Sequence, residues 1–205
     1  MPATERKLPS AKLIGSAIIN FPLLGRGSAR VFSPPFTPKM IGGHPYAVLT
    51  LPGSEENFRQ VYLRDFSLIS EEEYKKMTPP SSISHFPSDL ADINLEYSGI
   101  YEDGWVAEDA FLLLRQPANN LNLLIEGEIP ISNEGANASK LTVYLEGKKI
   151  TEKELSYGRF KVIAPIPNGN SSRKIGLHFS KIHILSGADQ RPVAAKLYFI
   201  GFKRA

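Results

Sequence analysis

The second half of the chain is written in short alternations of apolar and polar positions. Leu141, Val143 and Leu145 alternate with Thr142, Tyr144 and Glu146, a period of two that predicts a strand with one buried face. Ile175, Leu177 and Phe179 share one face of another strand, and Ala195, Leu197 and Phe199 share one face of a third. Phe160, Val162 and Ala164 define a fourth, closed by P-I-P-N-G-N. Residues 110–115 (A-F-L-L-L-R) and 121–128 (L-N-L-L-I-E-G-E) are apolar runs separated by Q-P-A-N-N, a turn by composition. Glu146-Gly147, followed by Lys148-Lys149-Ile150, predicts a tight reversal. Short strands with turn signals about every 8–12 residues predict a sandwich or barrel, not a helical or βαβ fold. The expected fold is all-β, an antiparallel β-sandwich of jelly-roll type.

The first half has a different texture. Residues 1–60 alternate apolar pieces with proline and glycine, which predicts edge strands and ordered loops. The best strand there is 46–51, bounded by His44-Pro45 and Pro52-Gly53; V-Y-L at 61–63 suits another. One helix is predicted over 70–77. Ser70 caps its backbone donors and Glu73 reaches back to complete a capping box, acids precede lysines along the dipole, and Pro79-Pro80 ends it. Its charges read as a solvated connector rather than a catalytic cluster. The stretch 78–89 (T-P-P-S-S-I-S-H-F-P-S-D) reads as a linker or a loop wrapped over the surface. The change of texture falls at E-Y-S-G-I-Y-E-D-G-W (96–105), which holds the only tryptophan. The expected organisation is a proline-rich N-terminal extension or small β subdomain over 1–95 and the sandwich over 96–205.

Composition narrows the function. The 205 residues include 24 basic and 21 acidic side chains, a formal charge of +3, and the two signs are interspersed without a basic block. That argues against a nucleic-acid partner. Cysteine is absent, which excludes a disulfide framework, a thiol nucleophile and a zinc–thiolate site. No apolar run approaches the roughly 18–20 residues needed to span a bilayer, and the first ten residues lack an apolar signal core. No direct membrane span is therefore expected. The four histidines do not form a metal pattern: His178 and His183, five apart, point to opposite faces on any one regular strand. No nucleophile-elbow or phosphate-loop motif is present. The sequence thus predicts a protein that is not an enzyme and needs no cofactor. Asn137-Ala-Ser139 and Asn170-Ser-Ser172 are short matches to a glycosylation sequon.

Four stretches carry a resemblance. They are S-G-I-Y-E-D-G-W-V (98–106), L-T-V-Y-L-E-G-K-K-I (141–150), G-R-F-K-V-I-A-P-I-P (158–167), and I-G-L-H-F-S-K (175–181) leading into S-G-A-D-Q-R-P-V-A-A-K-L-Y-F-I (186–200). In this order the last half of the chain resembles the jelly-roll accessory domain found with bacterial glycosyltransferases and cell-envelope polysaccharide proteins. That family reads Y-x-D-G-W near its start and Asp-x-Arg before its last strand, matched here by Tyr101, Asp103, Gly104, Trp105, Asp189 and Arg191. The chain departs from it at residues 192–195, where P-V-A-A replaces a leucine-glycine pair. The resemblance implies a non-catalytic carbohydrate-binding or glycosyltransferase-accessory module. Its partners would be a glycan or lipid-linked sugar chain and a membrane glycosyltransferase, on the extracytoplasmic side of a cell envelope. The alternative is a structural or interaction subunit docking on a membrane enzyme or multisubunit complex.

Two roles are open for each candidate ligand-binding residue. Tyr101 and Trp105 can form an aromatic platform for a pyranose face, with Asp103 accepting from hydroxyls. Alternatively Trp105 anchors the core and Asp103-Gly104 is only its turn. Asp189 and Arg191 either contact ligand or form a carboxylate–guanidinium pair that pins the last loop.

Overall fold

The structure, a computed structural model, describes residues 27–33, 36–37, 39–46, 67–119, 121–130, 139–185, 189 and 191–204. These fall into two compact units, one holding the described residues from 33 to 74 and the other those of 27–32 and from 75 onward.

In the first unit, β2 (Lys39–Ile41) and β3 (His44–Tyr46) form a hairpin across Gly42-Gly43, both at positive φ, so His44-Pro45 belongs to a strand and does not bound one. The rest of the strand expected at 46–51, and the one at 61–63, lie outside the described residues. The short helix α1 (Glu71–Lys76) begins as its sequence requires. The Ser70 N–H donates to Glu73 Oε2 at 2.7 Å, and the Glu73 N–H donates to Ser70 Oγ at 3.1 Å.

The larger unit is an antiparallel β-sandwich. Its strands are β1 (Ser28–Arg30), β4 (Ser82–Ile83), β5 (Tyr97–Ile100), β6 (Trp105–Arg115), β7 (Leu121–Ile129), β8 (Ser139–Leu145), β9 (Lys148–Leu155), β10 (Gly158–Pro165), β11 (Ser172–Phe179) and β14 (Ala195–Arg204). A small ribbon of β12 (His183–Ile184) and β13 (Pro192–Val193) lies in the connection before β14. One layer runs β10–β7–β14–β4 and the other β9–β8–β11–β6–β5–β1. They join at a corner, where Ala195 and Lys196 of β14 pair with Val106 and Trp105 at the start of β6.

The alternations place the core. Leu141, Val143 and Leu145 of β8 face inward with Ile175, Leu177 and Phe179 of β11, and all are buried. Leu123 and Ile125 of β7 and Val162 and Ala164 of β10 meet them from the opposite layer. The predicted reversal at Glu146-Gly147 is a two-residue hairpin turn joining β8 to β9.

Two expectations are corrected. Phe199 does not share a face with Ala195 and Leu197. The pairing of β14 with β7 slips at Tyr198, a bulge that inserts one residue, so Ile200 and Phe202 take the inward positions. The proline–serine stretch at 78–89 is not a linker. Its residues Ser82–Ile83 pair with Gly201 and Ile200 of β14, and Ile83 is fully buried in the core. Asp89 closes this segment by accepting the Ser84 and His85 backbone N–H groups at 2.6 and 2.8 Å.

Candidate functional site

The turn between β5 and β6 is built around Gly104. The Gly104 N–H donates to Tyr101 O at 3.0 Å and the Tyr101 N–H to Trp105 O at 2.7 Å, closing residues 101–105 into a tight loop. Gly104 has φ +86°, and a Cβ there would stand 3.0 Å from Phe86 Cδ2 and 3.1 Å from Leu197 O. Only glycine fits both the backbone angle and the space. The glycine thus permits the tight turn, with Tyr101 and Trp105 on either side of it.

Arg191 locks that turn to the segment before β14. Its Nη1 and Nη2 donate to Asp103 Oδ1 and Oδ2 at 3.2 and 2.5 Å, a fork onto one carboxylate. Its Nε donates to Asp189 Oδ1 and Oδ2 at 2.9 and 3.1 Å, and Nη2 also reaches Asp189 Oδ2 at 2.7 Å. The guanidinium lies over the Tyr101 ring, 4.8 Å from its centroid. Donation from Arg191 holds the Asp103 carboxyl below the usual carboxylate range, with burial opposing it. The same donation, helped by the Arg191 backbone N–H, lowers Asp189. Arg191 is raised above its ordinary value by Asp189 first and Asp103 second, so it stays charged at any working pH. Two carboxylates on one guanidinium leave a net negative charge with its donors largely engaged, which suits a latch.

The structure thus gathers Tyr101, Asp103, Asp189 and Arg191 into one cluster, although 88 residues separate Asp103 from Arg191. Trp105 stands at its edge on a different surface. Val106 is buried in the core, so the alternation of β6 turns Trp105 to the outer face of the sandwich, half-buried and with Lys196 Nζ 5.6 Å from its ring. Trp105 is not a core anchor.

That outer face continues across the sheet in register. Trp105 pairs with Lys196, Lys196 with Glu128, and Glu128 with Arg159 of β10. The bulge residue Tyr198 lies among them, donating from its hydroxyl to Glu128 Oε2 at 2.5 Å and carrying the Arg159 guanidinium 5.7 Å from its ring centroid. The bond to Glu128 pushes the Tyr198 phenol above its ordinary value, so it remains a donor. Beside them is an open groove of about 460 Å³, lined by Glu126, Gly127, Arg159, Phe160, Lys161 and Tyr198. Sequence reasoning missed this groove. Its one legible signal was the adjacent aromatic pair Tyr198-Phe199 in a strand that otherwise alternates.

Among the described residues no group of three or more His, Asp or Glu side chains is placed to hold a metal ion, and no helix is long and apolar enough to cross a membrane. His178 and His183 stand on separate strands, and His178 Nδ1 lies 2.8 Å from Asp109 Oδ1.

No protein-family model matches the chain, and no curated protein matches it. Among solved structures it is similar to the CBM36-1 domain of a multidomain xylanase from the hindgut metagenome of Trinervitermes trinervoides (12% identity, 48% of this chain and 74% of that one, TM-score 0.30). It is also similar to the carbohydrate-binding module CBM36 in complex with calcium and xylotriose (18% identity, 46% and 73%, TM-score 0.26). A third is a two-domain esterase active on acetylated mannans, co-crystallized with mannopentaose (13% identity, 62% and 38%, TM-score 0.34). Two of these neighbours are carbohydrate-binding modules. At such TM-scores the likeness carries no argument about the ligand of this chain.

Proposed function

We propose that the sandwich is a non-catalytic carbohydrate-binding module whose ligand stacks on Trp105. The observation that carries this is the placement of Trp105: a half-buried aromatic on the outer face, at the start of a strand aimed by a glycine turn that Arg191 locks in place. Rigid aromatic surface with adjoining polar groups is what recognition of a sugar requires, because one pyranose face is apolar while its rim is hydroxylated. Asp103 contributes indirectly. It is engaged by Arg191 and by the Asp103 and Trp105 backbone N–H groups, and it holds the turn. Asp189 and Arg191 position the same turn. A membrane glycosyltransferase as the partner protein is the finer form of this proposal, motivated by the Y-x-D-G-W and Asp-x-Arg stretches.

Affinity electrophoresis through gels containing soluble xylan, mannan or β-glucan tests the proposal. Retardation by one of them is expected, with Trp105→Ala weakening it by about tenfold, the scale of one lost aromatic contact. Trp105→Phe should keep most of the binding. Equal retardation of the wild type and Trp105→Ala would move the site away from this strand.

A further inference from the structure

The face that carries Trp105 does not end with it. Trp105, Lys196, Glu128 and Arg159 are consecutive register partners on four adjacent strands, β6, β14, β7 and β10. All four stand beside inward-facing neighbours: Val106, Ala195 and Leu197, and Ile129 belong to the core, and Phe160 packs against it. With strands about 4.8 Å apart, the row is roughly 14 Å long. Its far end is the groove over Gly127, where the Tyr198 ring is partly exposed.

The groups in this groove are unevenly engaged. Lys161 pairs with Glu126 at 3.2 Å, and Tyr198 donates to Glu128. The Arg159 guanidinium lies over the Tyr198 ring and, among the described residues, has no carboxylate within ion-pair distance. Its fork of donors stands beside the acceptors of Glu126 and Glu128 and next to an aromatic ring. This is the complement of a vicinal diol on an apolar ring face, where each hydroxyl both donates and accepts. The interleaved signs also select. A polyanion lying along the row meets Glu126 and Glu128, and a polycation meets Arg159, Lys161 and Lys196.

We propose that this groove is a second saccharide subsite, so that the module binds an uncharged polysaccharide along its chain, across the strands from Trp105 to Tyr198 and Arg159. The proposal rests on the carbohydrate reading of Trp105 and deepens it by naming the ligand class and its course. A monosaccharide or chain end fills one subsite only; an internal stretch of polymer fills both.

The test is titration of the intact protein with xylose, mannose and glucose oligomers of two and six units, followed by calorimetry and by backbone amide shifts. The six-unit form of the bound sugar is expected to bind about tenfold tighter than the two-unit form, the increment of a second stacked ring. It should move the amides of Gly127, Arg159 and Lys161 as well as that of Trp105. Tyr198→Ala and Arg159→Gln should each remove the length dependence and leave two-unit binding at Trp105 intact. The exposed Arg159 position keeps the test open should Tyr198→Ala disturb the bulge. Six-unit binding that both variants retain in full, with Trp105→Ala still weakening it, would overturn the second subsite and leave the proposed function standing. No binding of any oligomer by the wild type would overturn both. Binding confined to a polyanion such as polygalacturonate would overturn the uncharged ligand class.

Discussion

Arg191 shows how one side chain sets the geometry of a surface. It donates to Asp189, two residues away, and to Asp103, 88 residues away, and it lies on Tyr101, so removing it unties the β5–β6 turn from the approach to β14. The two aspartates carry a pH signature. Both carboxyls are held below their ordinary value in the fold, so each binds its proton at lower pH than in the unfolded chain. Their contribution to stability is full above the unfolded value, about 3.9, and is lost as pH falls through the folded values. Arg191→Met should therefore be less stable than the wild type at pH 7, with the gap narrowing as pH is lowered below about 4. Chemical denaturation of both proteins from pH 7 to pH 2 measures this. A gap that is constant with pH would mean that Arg191 acts by packing alone. The residue scale was half legible. Asp189 and Arg191 are two apart and announce a pair, whereas Asp103 joins them only because β14 returns to pair with the start of β6.

Among the elements, β4 has only two residues and its effect is easily underrated. Two residues in a proline–serine stretch give no periodicity to read, yet Ile83 is fully buried and pairs with Ile200. Ile83→Ala should cost about 2–5 kcal/mol, the usual range for truncating a buried isoleucine, measured by urea unfolding. A loss below about 0.5 kcal/mol, as for a surface change, would show that the segment is a loop laid over the sheet after all. Longer strands were easier to read. The alternation of β8 and β11 survives from sequence to structure because each is regular along its length and buried on one face. In β14 the alternation fails at one residue. Tyr198 is extra in the ladder, and from there every inward position moves by one, which no period-two template anticipates. That same bulge is what brings Tyr198 to Glu128 and Arg159, so the feature that defeated the pattern built the groove.

At the scale of the whole sandwich, the corner between β14 and β6 links fold to candidate function. The two layers share hydrogen bonds there, and the pairing that joins them, Lys196 with Trp105, begins the row of exposed groups that crosses to β10. The single tryptophan makes this directly observable, because its emission reports on one point of that surface. The most direct measurement is a glycan-array screen of the intact protein, with each hit followed by titration of the emission of Trp105. A saturable shift in emission is expected, with the same midpoint as binding measured independently. Binding with no change in emission, or an array on which nothing is retained, would rule out a sugar stacked on Trp105.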